Sequence, residues 1–186
     1  MKPFLNGLLA LVVCFLFAAT ACKKNKDPLE ELPPETQTGA NTFGCLVNGS
    51  VFKPTNNGSL TPVLTCFYQF IYPSSSGFVF GLGADKRSGS TQGAVGLNID
   101  SALVVEGRIY QLTKSKRGTA GGSFRNGVDY SSKVYITTEN VTGELLIKKF
   151  DQMNQVIAGT FWFNAVNALG DTIKITNGRF DVKYIR

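Results

Sequence analysis

Thr42-Phe43-Gly44-Cys45-Leu46-Val47-Asn48-Gly49-Ser50-Val51-Phe52 decides the fold class. Phe43, Cys45 and Val47 alternate with Gly44 and Leu46, a period of two that places one set on each face of a strand. Asn48-Gly49 follows, and both residues tolerate the positive φ that a two-residue hairpin turn requires. The spacing predicts a hairpin in which Val47 faces Ser50 and Cys45 faces Phe52.

The same period continues to the end of the chain. It predicts strands over 63–72, 78–84, 94–100, 108–113, 133–138, 143–150, 156–166, 171–176 and 179–185. Turn signals separate them at Pro73 with three serines, Asn126-Gly127, 151–154, Leu169-Gly170-Asp171 and Asn177-Gly178. Lys114, Lys116, Arg117 and Arg125 fall in a Gly- and Ser-rich stretch with Gly118, Gly121 and Gly122, read as a solvated loop in preference to an anion-binding patch. No segment sustains a helical period. The expected fold is all-β: a single antiparallel β-sandwich or partly closed barrel over residues 42–186, long enough to bury a core.

Composition narrows the chemistry. Of 186 residues, 43% are hydrophobic and 17% charged, which is a globular balance, and there is no histidine. That removes the commonest general base and the commonest metal ligand. No nucleophile elbow, phosphate loop, dinucleotide fingerprint or calcium loop occurs. Ser50-Val51-Phe52-Lys53 matches Ser-x-x-Lys, but on a strand residues three apart point to opposite faces. Asp181 reads as an exposed strand carboxylate beside a neighbouring Lys or Arg. We assign no catalytic, cofactor-binding or metal-binding residue and no cofactor.

Residues 1–21 carry the parts of an export signal: Lys2, an apolar run from Leu8 to Ala19, and Ala19-Thr20-Ala21. Cys22 follows directly, and Ala-Thr-Ala-Cys resembles the bacterial lipobox, in which the Cys thiol takes a diacylglycerol and the new amino terminus an acyl chain. The alternative is ordinary cleavage at the same bond. Residues 22–41, with Pro28, Pro33, Pro34 and seven charged side chains, read as a disordered tether holding the domain off the bilayer. The full chain carries +6, and so does the part from Thr42 onward, where 15 basic residues stand against nine acidic ones. In an exported chain the remaining even pair, Cys45 and Cys66, reads as a disulfide; closing a loop of about 20 residues, it would contribute about 3 kcal/mol.

Two blocks carry a family resemblance: residues 42–49 above, and Gly159-Thr160-Phe161-Trp162-Phe163-Asn164-Ala165 with Ile175-Thr176-Asn177-Gly178-Arg179-Phe180-Asp181. They resemble the lipoproteins of Bacteroidota grouped in the domain-of-unknown-function family numbered 6252. The resemblance spans essentially the whole folded domain, implies an acylated, all-β envelope protein, and carries over no functional residue.

The function expected is that of a non-enzymatic module of the cell envelope, anchored through Cys22 to the outer membrane, which binds a protein or glycan partner. The alternative is a β-barrel carrier of a small apolar ligand. The compartment excludes nucleic acid. Tyr68, Tyr72, Phe78, Tyr110, Tyr130, Tyr135 and Trp162 are candidates for a sugar-stacking platform, with core packing as the default. Asp100-Ser101-Ala102 and Asp171-Thr172-Ile173 resemble short O-glycan attachment sites.

Overall fold

Alternating apolar residues produce strands throughout the computed structural model, which describes residues 27–72, 77–89, 92–127 and 133–186. The export signal, Cys22, Tyr130 and the Pro73 turn lie outside the described residues. After a single 3-10 turn, Pro28–Glu31, come β1 (Thr42–Val47), β2 (Ser50–Phe52), β3 (Leu64–Ile71), β4 (Gly77–Lys86), β5 (Gly93–Ile99) and β6 (Ile109–Leu112). Then follow β7 (Ala120–Asn126), β8 (Lys133–Ile136), β9 (Gly143–Asp151), β10 (Val156–Val166) and β11 (Thr172–Lys183).

The strands hydrogen-bond in the order β2-β1-β11-β10-β9-β6-β7-β5-β4-β3, and β8 pairs with both β7 and β10. β8 therefore closes β10, β9, β6, β7 and β8 into a five-stranded barrel, with the other strands extending the sheet. A second seam joins Phe67 of β3 to Ile185 just past β11. All pairings between strands are antiparallel except the short contact of β6 with β7. The all-β class and the partly closed barrel agree with the sequence.

The first hairpin forms as its turn residues require: Asn48 and Gly49 have φ of 48° and 82°, and Val47 pairs with Ser50 and Cys45 with Phe52. The same dipeptide at 177–178 behaves differently. It does not reverse the chain; β11 runs straight through it. Asn177 alone takes a positive φ, 53°, and the pairing with β1 and β10 shifts there, which marks a β-bulge. One extra residue changes which parity faces inward. Ile173 and Ile175 are buried before the bulge; Phe180, Val182 and Tyr184 are buried after it.

The stretch read as a solvated loop contains β7, a strand bonded to β5, β6 and β8. Its glycines serve close packing, since a Cβ on Gly122 would lie 2.9 Å from the Phe163 ring. Phe163 itself is fully buried. A run of ring contacts crosses the interior from Phe80 through Phe180, Phe161, Phe43 and Phe52 to Phe124, each pair of centroids 5.5 to 6.4 Å apart.

Candidate functional site

The outward side chains of β6, β9, β10 and β11 line up across four strands. One row is Gln111, Glu144 and Trp162; the other is Ile109, Leu146, Thr160 and Arg179. The inward neighbours Leu145, Phe161 and Phe163 are locked in the core, so this surface stands on a rigid support. Together with Glu35, Lys148 and the bulge at Asn177-Gly178, the rows apart from Gln111 line an open cleft of about 390 Å³.

Trp162 is 42% exposed and Ile109 53%, so the cleft offers an aromatic face beside an aliphatic one. Its polar groups are loosely held. Glu144 accepts from Gln111 Nε2 at 3.2 Å and from Trp162 Nε1 at 3.4 Å, and Arg179 reaches the carbonyls of Pro33 and Asn177 at 3.4 Å each. These lengths are at or beyond the long end of the usual range, so a ligand could replace them at low cost. The Lys148 ammonium, hydrogen-bonded to Glu35, holds that carboxyl below its ordinary value against the opposing effect of burial.

Glu35 belongs to the segment expected as a tether, and that expectation fails for Asp27–Asn41. Asp181, only 1% exposed, accepts five hydrogen bonds from this segment. Thr36 Oγ1 donates at 2.7 Å, Thr38 N at 2.9 Å, Thr38 Oγ1 at 3.3 Å, Gly39 N at 2.7 Å and Ala40 N at 3.2 Å. Burial alone would raise the Asp181 pKa; the bonds from Thr36, Thr38, Gly39 and Ala40 outweigh it and hold the carboxyl below its usual value. Asp181 is thus neither exposed nor paired with a cation. Gly39 is required here: its φ is 75°, and a Cβ would come within 2.9 Å of Val156. Leu32 is 7% exposed, and Pro33 packs so closely on Gly44 that a Cβ there would meet Pro33 Cδ at 2.5 Å.

The other residues singled out in the sequence scatter. Cys45 and Cys66 are both buried free thiols, so the expected bridge is not formed. Cys45 packs on β1 opposite Phe52, whereas Cys66 sits on β3 between Leu82 and Ile185. Burial pushes the Cys66 thiol up to about 12 and the Cys45 thiol higher still, so both behave as small apolar groups. Lys116 pairs with Glu139 at 2.8 Å while Arg125 turns to Asp85 at 3.6 Å, so the basic run forms no single patch. Lys53 Nζ donates to the Glu31 carbonyl. Ser101 Oγ donates to Asp100, and Thr172 is exposed at the start of β11.

Of the platform candidates, Tyr68, Tyr110 and Tyr135 are buried, while Trp162, Tyr72 and Phe78 are exposed. Tyr68, Phe70, Phe78 and Tyr184 line a second open cleft, of about 500 Å³, at the β3–β4 end. The partners of Trp162 went unnoticed in the sequence. The available signal was a Trp at an outward strand position, between Phe161 and Phe163 that point inward.

No curated protein and no solved structure matches the chain. A family model described as Domain of unknown function (DUF6252) matches residues 88–182, which run from just before β5 to Val182 of β11. The match takes in Trp162, Glu144, Arg179 and Asp181, and the second of the two quoted blocks; residues 42–49 lie outside it. With the match covering just over half of the 186 residues, the chain belongs to the DUF6252 family of unknown function.

Proposed function

We propose that the protein is a non-catalytic cell-envelope module, anchored through lipid on Cys22, that binds a glycan at the Trp162 cleft. The observation that carries this reading is the half-exposed Trp162 ring on a rigid strand, with Glu144 and Arg179 lining the cleft beside it and Gln111 hydrogen-bonded to Glu144. A sugar presents an apolar C–H face that stacks on indole, and hydroxyls that a carboxylate, an amide and a guanidinium bind at the rim. The aromatic interior supports a filled core over a carrier, since Phe52, Phe80, Phe124 and Phe163 occupy it. The carrier reading keeps one favourable observation, the second cleft lined by Tyr68, Phe70, Phe78 and Tyr184.

The test is affinity electrophoresis of the purified protein through gels containing envelope polysaccharides. Retardation of the wild type that Trp162→Ala weakens at least about tenfold, a loss of about 1.4 kcal/mol, is the expected result. Equal retardation of both proteins, or of neither, refutes the glycan reading. Lipid that co-purifies and is lost in Phe78→Ala would favour the carrier.

A further inference from the structure

We infer that the folded domain sits directly on the bilayer surface, with the edge formed by Pro28–Glu31 and β2 turned toward anionic lipid headgroups. The inference rests on the reading of Cys22 as acylated. A free tether over residues 22–41 would span up to about 70 Å when extended, enough to put any face of the domain toward the membrane. The structure removes most of that reach. Asp27–Asn41 is bound along its length: Asp181 holds Thr36 to Ala40, Asn41 Oδ1 accepts from Lys183 N at 3.0 Å, Lys148 holds Glu35, and Lys53 Nζ reaches the Glu31 carbonyl at 3.0 Å.

Only residues 23–26 separate the anchoring Cys from Asp27, and the five steps from Cys22 to Asp27 reach about 17 Å at most. A folded unit of this size is about 38 Å across, taken as about two and a half times its radius of gyration. The far side of the domain therefore cannot meet the bilayer. The near side is where the chain enters, at the 3-10 turn beside β2.

Charge favours the same placement. Three of the four linking residues are Lys23, Lys24 and Lys26, and lysines beside an anionic surface are attracted to it. On the folded edge itself, Asp27, Glu30 and Glu31 stand against Lys53 and Lys86, which reach the Glu31 and Val51 carbonyls, so the three linker lysines outweigh the single negative charge left there. β10 lies three strands in from β2, about 14 Å at the usual strand spacing. The Trp162 cleft is thus set back from the edge that meets the lipid.

The test uses the acylated full chain in phosphatidylethanolamine–phosphatidylglycerol vesicles doped with a dansyl headgroup lipid. Trp162, the single tryptophan of the chain, is the energy donor. A Gly-Ser insert of about twelve residues between Lys26 and Asp27 adds about 20 Å of reach without touching the fold. The expected result is strong transfer in the wild type that falls at least threefold with the insert. Equal transfer in both proteins, with both floating with the vesicles, overturns the apposition and leaves the anchor standing. Failure of the wild type to float, with an unmodified Cys22 peptide by mass spectrometry, overturns the anchor reading and the apposition with it.

Discussion

Glu144 and Asp181 are carboxylates on outward positions of one sheet, two strands apart, and they have opposite fates. Glu144 lies open in the cleft, with two long contacts from Gln111 and Trp162. Asp181 lies under the N-terminal segment, with five donors, three of them backbone N–H groups. The residue type and the strand position do not decide between a structural and an available carboxylate. What crosses above the strand decides it.

The comparison can be broken most severely at the bulge that sets it up. Inserting one alanine after Asn177 would put the two halves of β11 out of phase across the bulge and drive either Asp181 inward or Ile173 and Ile175 outward. The expected cost exceeds about 4 kcal/mol, read as loss of cooperative unfolding. Asp181→Ala leaves buried donors of Thr36, Thr38, Gly39 and Ala40 without an acceptor. A destabilisation of about 3 kcal/mol in urea unfolding is expected, with new protease cleavage within 27–41.

Acid tests the same carboxyl more gently. Its folded pKa is held below the usual 3.8, so its stabilising contribution is complete above about pH 4 and is lost as pH falls through the folded value. The stability gap between the wild type and Asp181→Asn should hold constant from pH 7 to pH 5 and close as pH falls below 4. The smallest effect is expected at the open carboxylate. Glu144→Gln should change stability by no more than about 0.5 kcal/mol while reducing retention in the polysaccharide gel. A larger stability loss there would mean that Glu144, like Asp181, is structural.

Much of this fold was legible because its turns are local. Asn48-Gly49 needs two positive φ values and nothing from elsewhere in the chain. Asn177-Gly178 carries the same signal but uses it differently: Asn177 alone is left-handed, and Gly178 is glycine because a Cβ would sit 2.5 Å from the Phe161 ring. The dipeptide specifies tolerance of positive φ, not reversal. Gly121 and Gly122 misled in the same way, since small size admits Ser115 and Phe163 as readily as it frees a loop. The Asp181 clasp was illegible for another reason. Its donors lie up to 145 residues away, and a polar, proline-bearing segment reads as tether until an acceptor for it is known.

That separation bears on the order in which the molecule can be made. β11 lies between β1 and β10, so the first strand of the sheet waits for the last. Contacts of such long range close slowly, because the loop entropy is lost before any pairing is gained. During synthesis Thr36, Thr38, Gly39 and Ala40 have no Asp181 to bind until more than 140 further residues have been made. Any enzyme that acts on the nascent chain before Asp181 is made therefore meets this segment open, and the clasp closes behind it.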